Sequence, residues 1–147
     1  MMRSENRILA LDYGTKRIGV AMSDALGIVA QPIETISYEN SDVLWTKLDK
    51  IRNAFSIERI VVGMPLNMDG SEGSSAEAAR SFGSRLNKRY SVPVDFWDER
   101  LSSQVAEKTI RSIGKEPSRR KEQVDKIAAV WILQGYLDRL NRQNPAP

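Results

Sequence analysis

RILALDYGTKRIGVAMS, residues 7–23, is the stretch on which the fold reading turns. Residues 7–12 form an apolar run ending on Asp12, 13–17 a short polar turn, and 18–23 a second run of similar length. Two such runs joined by a glycine-containing turn read as a hairpin of buried strands. Gly14 supplies the turn's backbone freedom. Asp12 therefore stands at a strand end, where the sheet fixes the backbone while the side chain projects into a cleft. An Asp before Tyr-Gly also suits an Asx turn, in which the carboxylate bonds its own backbone, so the residue alone leaves both roles open.

Working outward, a third strand is expected over 33–37, after Gly27 and Pro32. A helix over 42–55 follows, capped by Ser41, with Val43, Leu44, Ile51 and Phe55 among its apolar positions. The order then alternates. A strand is expected over 59–62, a loop over 63–74, a helix over 75–90 opened by a Ser74–Glu77 capping box, and a strand over 92–97. Two helices, 102–113 and 122–141, end the domain, separated by a break at IGKEPSRRK. Residues 1–141 read as a single domain and 142–147 as a disordered tail. Three antiparallel strands followed by alternating elements describe a mixed five-stranded α/β sheet flanked by helices, a ribonuclease H-like arrangement. Trp45 and Trp131 fall within helices and read as core, while Trp97 adjoins Asp98.

At 147 residues, 41% hydrophobic and 28% charged, the chain has the make-up of a soluble globular domain. It holds no apolar run near the roughly 20 residues of a membrane helix, and MMRSENRILALD shows no apolar signal segment, so a cytoplasmic location without membrane contact is expected. Cysteine is absent, which removes any disulfide framework, and histidine is absent too. Any metal must then be held by oxygen, and carboxylates suit Mg²⁺ or Mn²⁺ rather than Zn²⁺. The net charge is only +3, but ten Lys/Arg face five Asp/Glu from Arg100 onward, clustered around Arg111, Lys115, Arg119, Arg120 and Lys121. Cations beside an acidic site suit an enzyme acting on a polyanion, and a solvated turn would look the same.

Two further acidic stations accompany Asp12. Asp98 and Glu99 follow the apolar VDFW at a strand end, and alternation sends them to opposite faces, so only one ligates directly. Glu99 is favoured and Asp98 is a close second. Asp125 lies in the first turn of the last expected helix, where exposed N–H groups favour an anion by about 0.3–1 kcal/mol. It shares a face with Ala128, Ala129 and Ile132, and paired alanines let a helix approach a sheet closely. A carboxylate there needs a partner, which a metal ion supplies. Lys16 and Arg17 in the first turn, Arg100 after Glu99, and Arg119, Arg120 and Lys121 are the candidate contacts to nucleic acid. Asn67 and Ser71 join them from the long loop, which lacks the GK[ST] of a Walker phosphate loop.

With these residues in hand, the chain resembles the YqgF/RuvX family over nearly its whole length. The resemblance rests on LDYGTKRIGVAMSD, VVGMPLNMDGSEG, DERLSS and VDKIAAVWILQGYLD, in that order. It implies a ribonuclease H-like fold, divalent-metal nuclease chemistry, and catalytic acids at Asp12, Glu99 and Asp125. It also implies a role in maturing the precursor of small-subunit ribosomal RNA, with Holliday-junction cleavage as the alternative. Many similar members carry a basic residue just after Gly73, where Ser74 and Ser75 stand here.

The mechanism expected is two-metal phosphodiester hydrolysis, with Asp12 bridging two Mg²⁺ or Mn²⁺ ions and Glu99 and Asp125 each completing one site. The expected partners are structured RNA, possible branched DNA and ribosomal precursor particles. The chain is expected to be monomeric, with a dimer as the alternative that symmetric junction cutting would require. A nucleotide-binding fold of the actin and sugar-kinase type would need a second such domain. A non-catalytic RNA-binding module is the third reading, marked by binding indifferent to Mg²⁺.

Overall fold

The computed structural model describes residues 6–14, 16–99 and 117–143, with side chains in the last helix described over 127–142. Its elements are β1 (Asn6–Tyr13), β2 (Arg17–Ser23), β3 (Ala30–Ser37), α1 (Ser41–Ala54), β4 (Ser56–Met64), α2 (Ser74–Tyr90), β5 (Val94–Asp98) and α3 (Pro117–Gln143). The five strands form one sheet in the order β3-β2-β1-β4-β5. β1 pairs antiparallel with β2 and parallel with β4, β2 antiparallel with β3, and β4 parallel with β5. The expected mixed sheet is present.

Strand alternation divides the core into two layers. Leu9 and Leu11 of β1 join Leu44 and Leu48 of α1 and Phe82 and Leu86 of α2 on one face. Ile8 and Ala10 join Ala129, Ile132, Leu133 and Leu137 of α3 on the other. Ala10, Ala21 and Ala129, all fully buried, let α3 lie close to the sheet. A register shift between Arg7 and Ile8 interrupts the β1–β4 pairing, and buried Ser23 serves the edge of that defect, its Oγ accepting from the Ile8 N–H at 2.9 Å. Among the described residues no helix is long and apolar enough to cross a membrane.

Several local expectations need correction. Asn40, not Ser41, caps α1, its side chain accepting from the Val43 N–H, because a residue in extended geometry is needed there and Ser41 is already helical. Val43 and Phe55 are exposed, and Leu48 instead completes the buried stripe with Leu44 and Ile51. The Ser74–Glu77 capping box does not form, since Ser74 is the first helical residue and Gly73 occupies the cap without a side-chain bond. Pro117–Lys121, read as part of a break, are helical, which fits the tolerance of a helix's first turn for proline. α3 also runs through Arg142 and Gln143, past the expected end. Trp97 is the buried tryptophan; Trp45 is half-buried yet packs on the core against Phe82 and Tyr90 as expected, and Trp131 is half-buried. The helix expected over 102–113 and the last residues of the tail lie outside the described residues.

Candidate active site

Asp12 follows Ile8 and Ala10 by strand alternation and so belongs to the α3 face, while Tyr13 falls on the other side and stacks on Phe82 with ring centroids 4.4 Å apart. The turn beyond is tight. A Cβ on Gly14 would stand 2.5 Å from the Arg17 carbonyl oxygen, so only glycine fits. Tyr38 secures the turn from β3's end, its hydroxyl donating to the Gly14 carbonyl at 2.7 Å and its N–H to the Lys16 carbonyl at 3.1 Å. The half-buried Asp12 is thus mounted on a backbone held by Tyr13 and Tyr38, which both pack against the α1/α2 layer.

β5 is not a neighbour of β1. β4 lies between them, with Leu11 opposite Val62 and Gly63 opposite Trp97. What joins the two acids is the missing side chain at Gly63. A Cβ there would stand 2.9 Å from Cγ and 3.0 Å from Cδ of Glu99, and 2.7 Å from Cδ1 of Ile132. Glu99 therefore lies over the bare backbone of β4, and its carboxyl is hydrogen-bonded to the side chain of Asp12. Burial pushes the Glu99 carboxyl above the usual range; contact with Asp12 opposes the shift, and the nearby charge of Asp98 adds to it. Two carboxyls in contact need a shared proton or a cation between them.

Asp98 follows Val94 and Phe96, which pack toward α2, and so stands on the sheet's other face while still acting on Glu99 through its charge. Trp97 holds β5 to α3: its indole lies 2.9 Å from where a Gly135 Cβ would be, and it meets Tyr136 edge-on. Tyr136 also accepts from Arg59 at 2.7 Å and bonds Asp95 near the starts of β4 and β5. The helix accordingly runs opposite to the parallel strands, with Tyr136 toward their beginnings and Ile132 at Gly63. Position 125 lies on the line through Ala129 and Ile132, about 10 Å of helix rise beyond Ile132 toward the carboxylate end of the sheet. The Asp125 side chain lies outside the described set, and among the described residues no cluster of three or more ligand-type side chains is assembled.

The long loop is closed by its own hydrogen bonds. Asn67 Nδ2 donates to Ser71 Oγ at 3.0 Å, the Ser71 hydroxyl and N–H donate to Asp69 Oδ1 at 2.6 and 2.9 Å, and backbone bonds close the turn through Gly70, which has φ +88°. The polar groups of Asn67 and Ser71 are thus engaged in holding the loop itself, beside the Asp69 carboxylate. Lys16 is exposed and Arg17 half-exposed beside the Asp12 turn. Arg100 lies outside the described residues, as do the side chains of Arg119, Arg120 and Lys121 in the first turns of α3. Two further residues shape the site: Gly63, expected to open the long loop, lies within β4, and Tyr38, for which no role is expected, closes the first turn from the end of β3. The signal for Gly63 was a glycine directly continuing the apolar run IVV, which marks a close approach on a strand.

The fold is a mixed five-stranded sheet with helices on both faces, and acidic side chains meet at the carboxyl ends of β1 and β5. The chain belongs to the RuvX family, described as Holliday junction resolvase, whose model matches residues 6–139. It is 48% identical over 137 residues to a protein of Bacillus pumilus (strain SAFR-032) named "Putative pre-16S rRNA nuclease", covering 92% of this chain and 99% of that one. A Bacillus subtilis (strain 168) protein of the same name is 46% identical over the same coverage. Among solved structures, T. thermophilus RuvC in complex with Holliday junction substrate shares the fold, with a TM-score of 0.54 at 13% identity over 91% of this chain and 95% of that one.

Proposed function

We propose that this chain is a divalent-metal-dependent nuclease that processes the 5′ end of pre-16S rRNA during ribosome biogenesis, acting as a cytoplasmic monomer on ribosomal precursor particles. The observation that carries the reading is the contact of Asp12 with Glu99 across Gly63, a paired-carboxylate site with an oxygen-only donor set. Such donors fit Mg²⁺ or Mn²⁺, and a bound cation would offset the burial that raises the Glu99 carboxyl and favour its charged form. Asp12, Glu99 and Asp125 would hold the metal. When bound, it supplies an activated water and stabilises charge on the leaving oxygen. Asp12 contributes a rigidly mounted carboxylate. Glu99 contributes a second one whose reach depends on Gly63, and Ile132 closes the site from α3. Asp98 tunes Glu99 through its charge. Arg100, Arg119, Arg120 and Lys121 would hold the nucleic-acid backbone.

The choice of pre-16S rRNA follows the names of the Bacillus relatives. The family description favours four-way DNA junctions as the second reading. Incubating the protein with Mn²⁺ and, in parallel, labelled precursor rRNA and junction DNA separates them. Cleavage of the rRNA that EDTA abolishes, and that Asp12→Asn loses by more than about a hundredfold, is the expected result. An Asp12→Asn protein cutting at the native rate would sink the metal assignment, and cutting of the junction alone would transfer the function to DNA.

A further inference from the structure

Beside the turn that follows Asp12 lies a cleft of about 560 Å³ lined by Lys16, Arg17, Ser37, Tyr38 and Glu39. Its volume falls within the range of small-ligand sites and is ample for one nucleotide. It is built onto the catalytic turn. Arg17 pairs with Ser37 across β2 and β3, the Tyr38 N–H donates to the Lys16 carbonyl at 3.1 Å, and the Tyr38 hydroxyl reaches back to the Gly14 carbonyl at 2.7 Å. The cleft and Asp12 lie at the same end of the sheet, since Tyr13 pairs with Ile18 and the adjoining Arg17 pairs with Ser37.

The lining is mixed in charge rather than merely basic. Lys16 and Arg17 suit a phosphate. Glu39 does not, since a carboxylate in a track for polyanions opposes the charge it must attract. It does suit a hydrogen-bond donor standing close to a phosphate. In RNA the ribose 2′-hydroxyl is such a donor, and in DNA that position is empty. The Tyr38 hydroxyl, committed to Gly14, leaves its ring as a wall.

We propose that this cleft seats the ribonucleotide adjoining the scissile phosphodiester, with Lys16 and Arg17 holding its phosphate and Glu39 accepting a hydrogen bond from the ribose 2′-hydroxyl, so that the protein selects RNA over DNA. The assignment of the neighbouring bond as scissile rests on the nuclease reading, whereas the subsite is tested by binding alone. Fluorescence anisotropy with single-stranded RNA and DNA of one sequence is measured on Asp12→Asn protein in Mg²⁺ and on native protein in EDTA. RNA binds about tenfold more tightly, the scale of one charge-assisted hydrogen bond. Glu39→Ala brings the RNA-to-DNA ratio close to one, Glu39→Gln restores part of it because the amide oxygen still accepts, and Lys16→Ala weakens both ligands alike. No preference in the parent protein, or a ratio unchanged in Glu39→Ala, overturns the subsite. If the binding pattern holds while native protein leaves labelled precursor rRNA and junction DNA intact in Mn²⁺, the nuclease reading falls and the subsite stands. If RNA is cut but a single 2′-deoxy substitution beside the cut site has no effect on rate or on binding, the subsite falls and the nuclease reading stands.

Discussion

At the scale of single residues, the meeting of two acids from strands that are not neighbours depends on an atom that is absent. Gly63 has φ in the ordinary range for any residue, so its requirement is steric rather than conformational. A methyl group there would overlap Glu99 Cγ at 2.9 Å and Ile132 Cδ1 at 2.7 Å. Both obstacles are side chains, so the fold can yield, and overpacking of this kind costs about 1–3 kcal/mol. Glu99, lying at the end of its strand, is the freer of the two to move, and moving it takes it away from Asp12. Gly63→Ala is therefore expected to fold with a modestly lowered denaturation midpoint and to lose most of its nuclease activity, at least tenfold, without loss of nucleic-acid affinity. A variant as active as the native protein would mean that Glu99 does not act from its position over Gly63.

At the scale of elements, the helices on the far face are tied by Asp49 of α1, which accepts from Arg89 at 2.9 and 2.7 Å and from the Tyr90 hydroxyl at 2.7 Å. The Arg89 guanidinium, with the help of Tyr90, holds the Asp49 carboxyl down to about 2 from an ordinary 3.8. A carboxyl with a depressed folded-state value stabilises the fold at pH above its unfolded value and loses that contribution as pH falls through the folded one. The stability gap between native protein and Asp49→Asn should thus be constant above pH 4 and close between about pH 4 and 2. Because the pair is more than a third exposed, it should also narrow in high salt. A gap that persists at pH 2 would assign the effect to packing. The same level shows what the sequence made legible. The hairpin, α2 and the order of element types were readable because periodicity reports burial directly, as in the alternation of Leu9 and Leu11 against Ile8 and Ala10, whereas β4, expected over 59–62, runs Ser56–Met64. Cap residues were not, since Asn40 and Ser41 are chemically equivalent candidates and only the backbone geometry chooses. Asp12 and Glu99 were legible as strand-end acids; Gly63 had only its place after the apolar run IVV to mark it, and Tyr38 acts through a tertiary contact that no local pattern encodes.

At the scale of the whole molecule, α3 outruns the sheet it covers. Its 27 residues extend about 40 Å, whereas the longest strand, β4 with 9 residues, extends about 30 Å. The helix runs against β4, with Ile132 at Gly63 and Tyr136 toward the strand's start, so its first turns overhang the end of the sheet where Asp12 and Glu99 lie. Those turns contain Arg119, Arg120 and Lys121, the densest part of the chain's basic third. The role proposed for these three residues is to grip the backbone of a nucleic acid at a distance from the carboxylates that would repel it. Gripping phosphates releases counterions, so each lost contact lowers the slope of log affinity against log salt by about 0.7–0.9. Neutralising all three as Arg119→Ala, Arg120→Ala and Lys121→Ala should reduce that slope by about 2–3 and weaken RNA and DNA equally, with the turnover of bound substrate little changed. A slope equal to that of the native protein would place the phosphate grip elsewhere on the molecule, and the overhang would then serve the fold rather than the substrate.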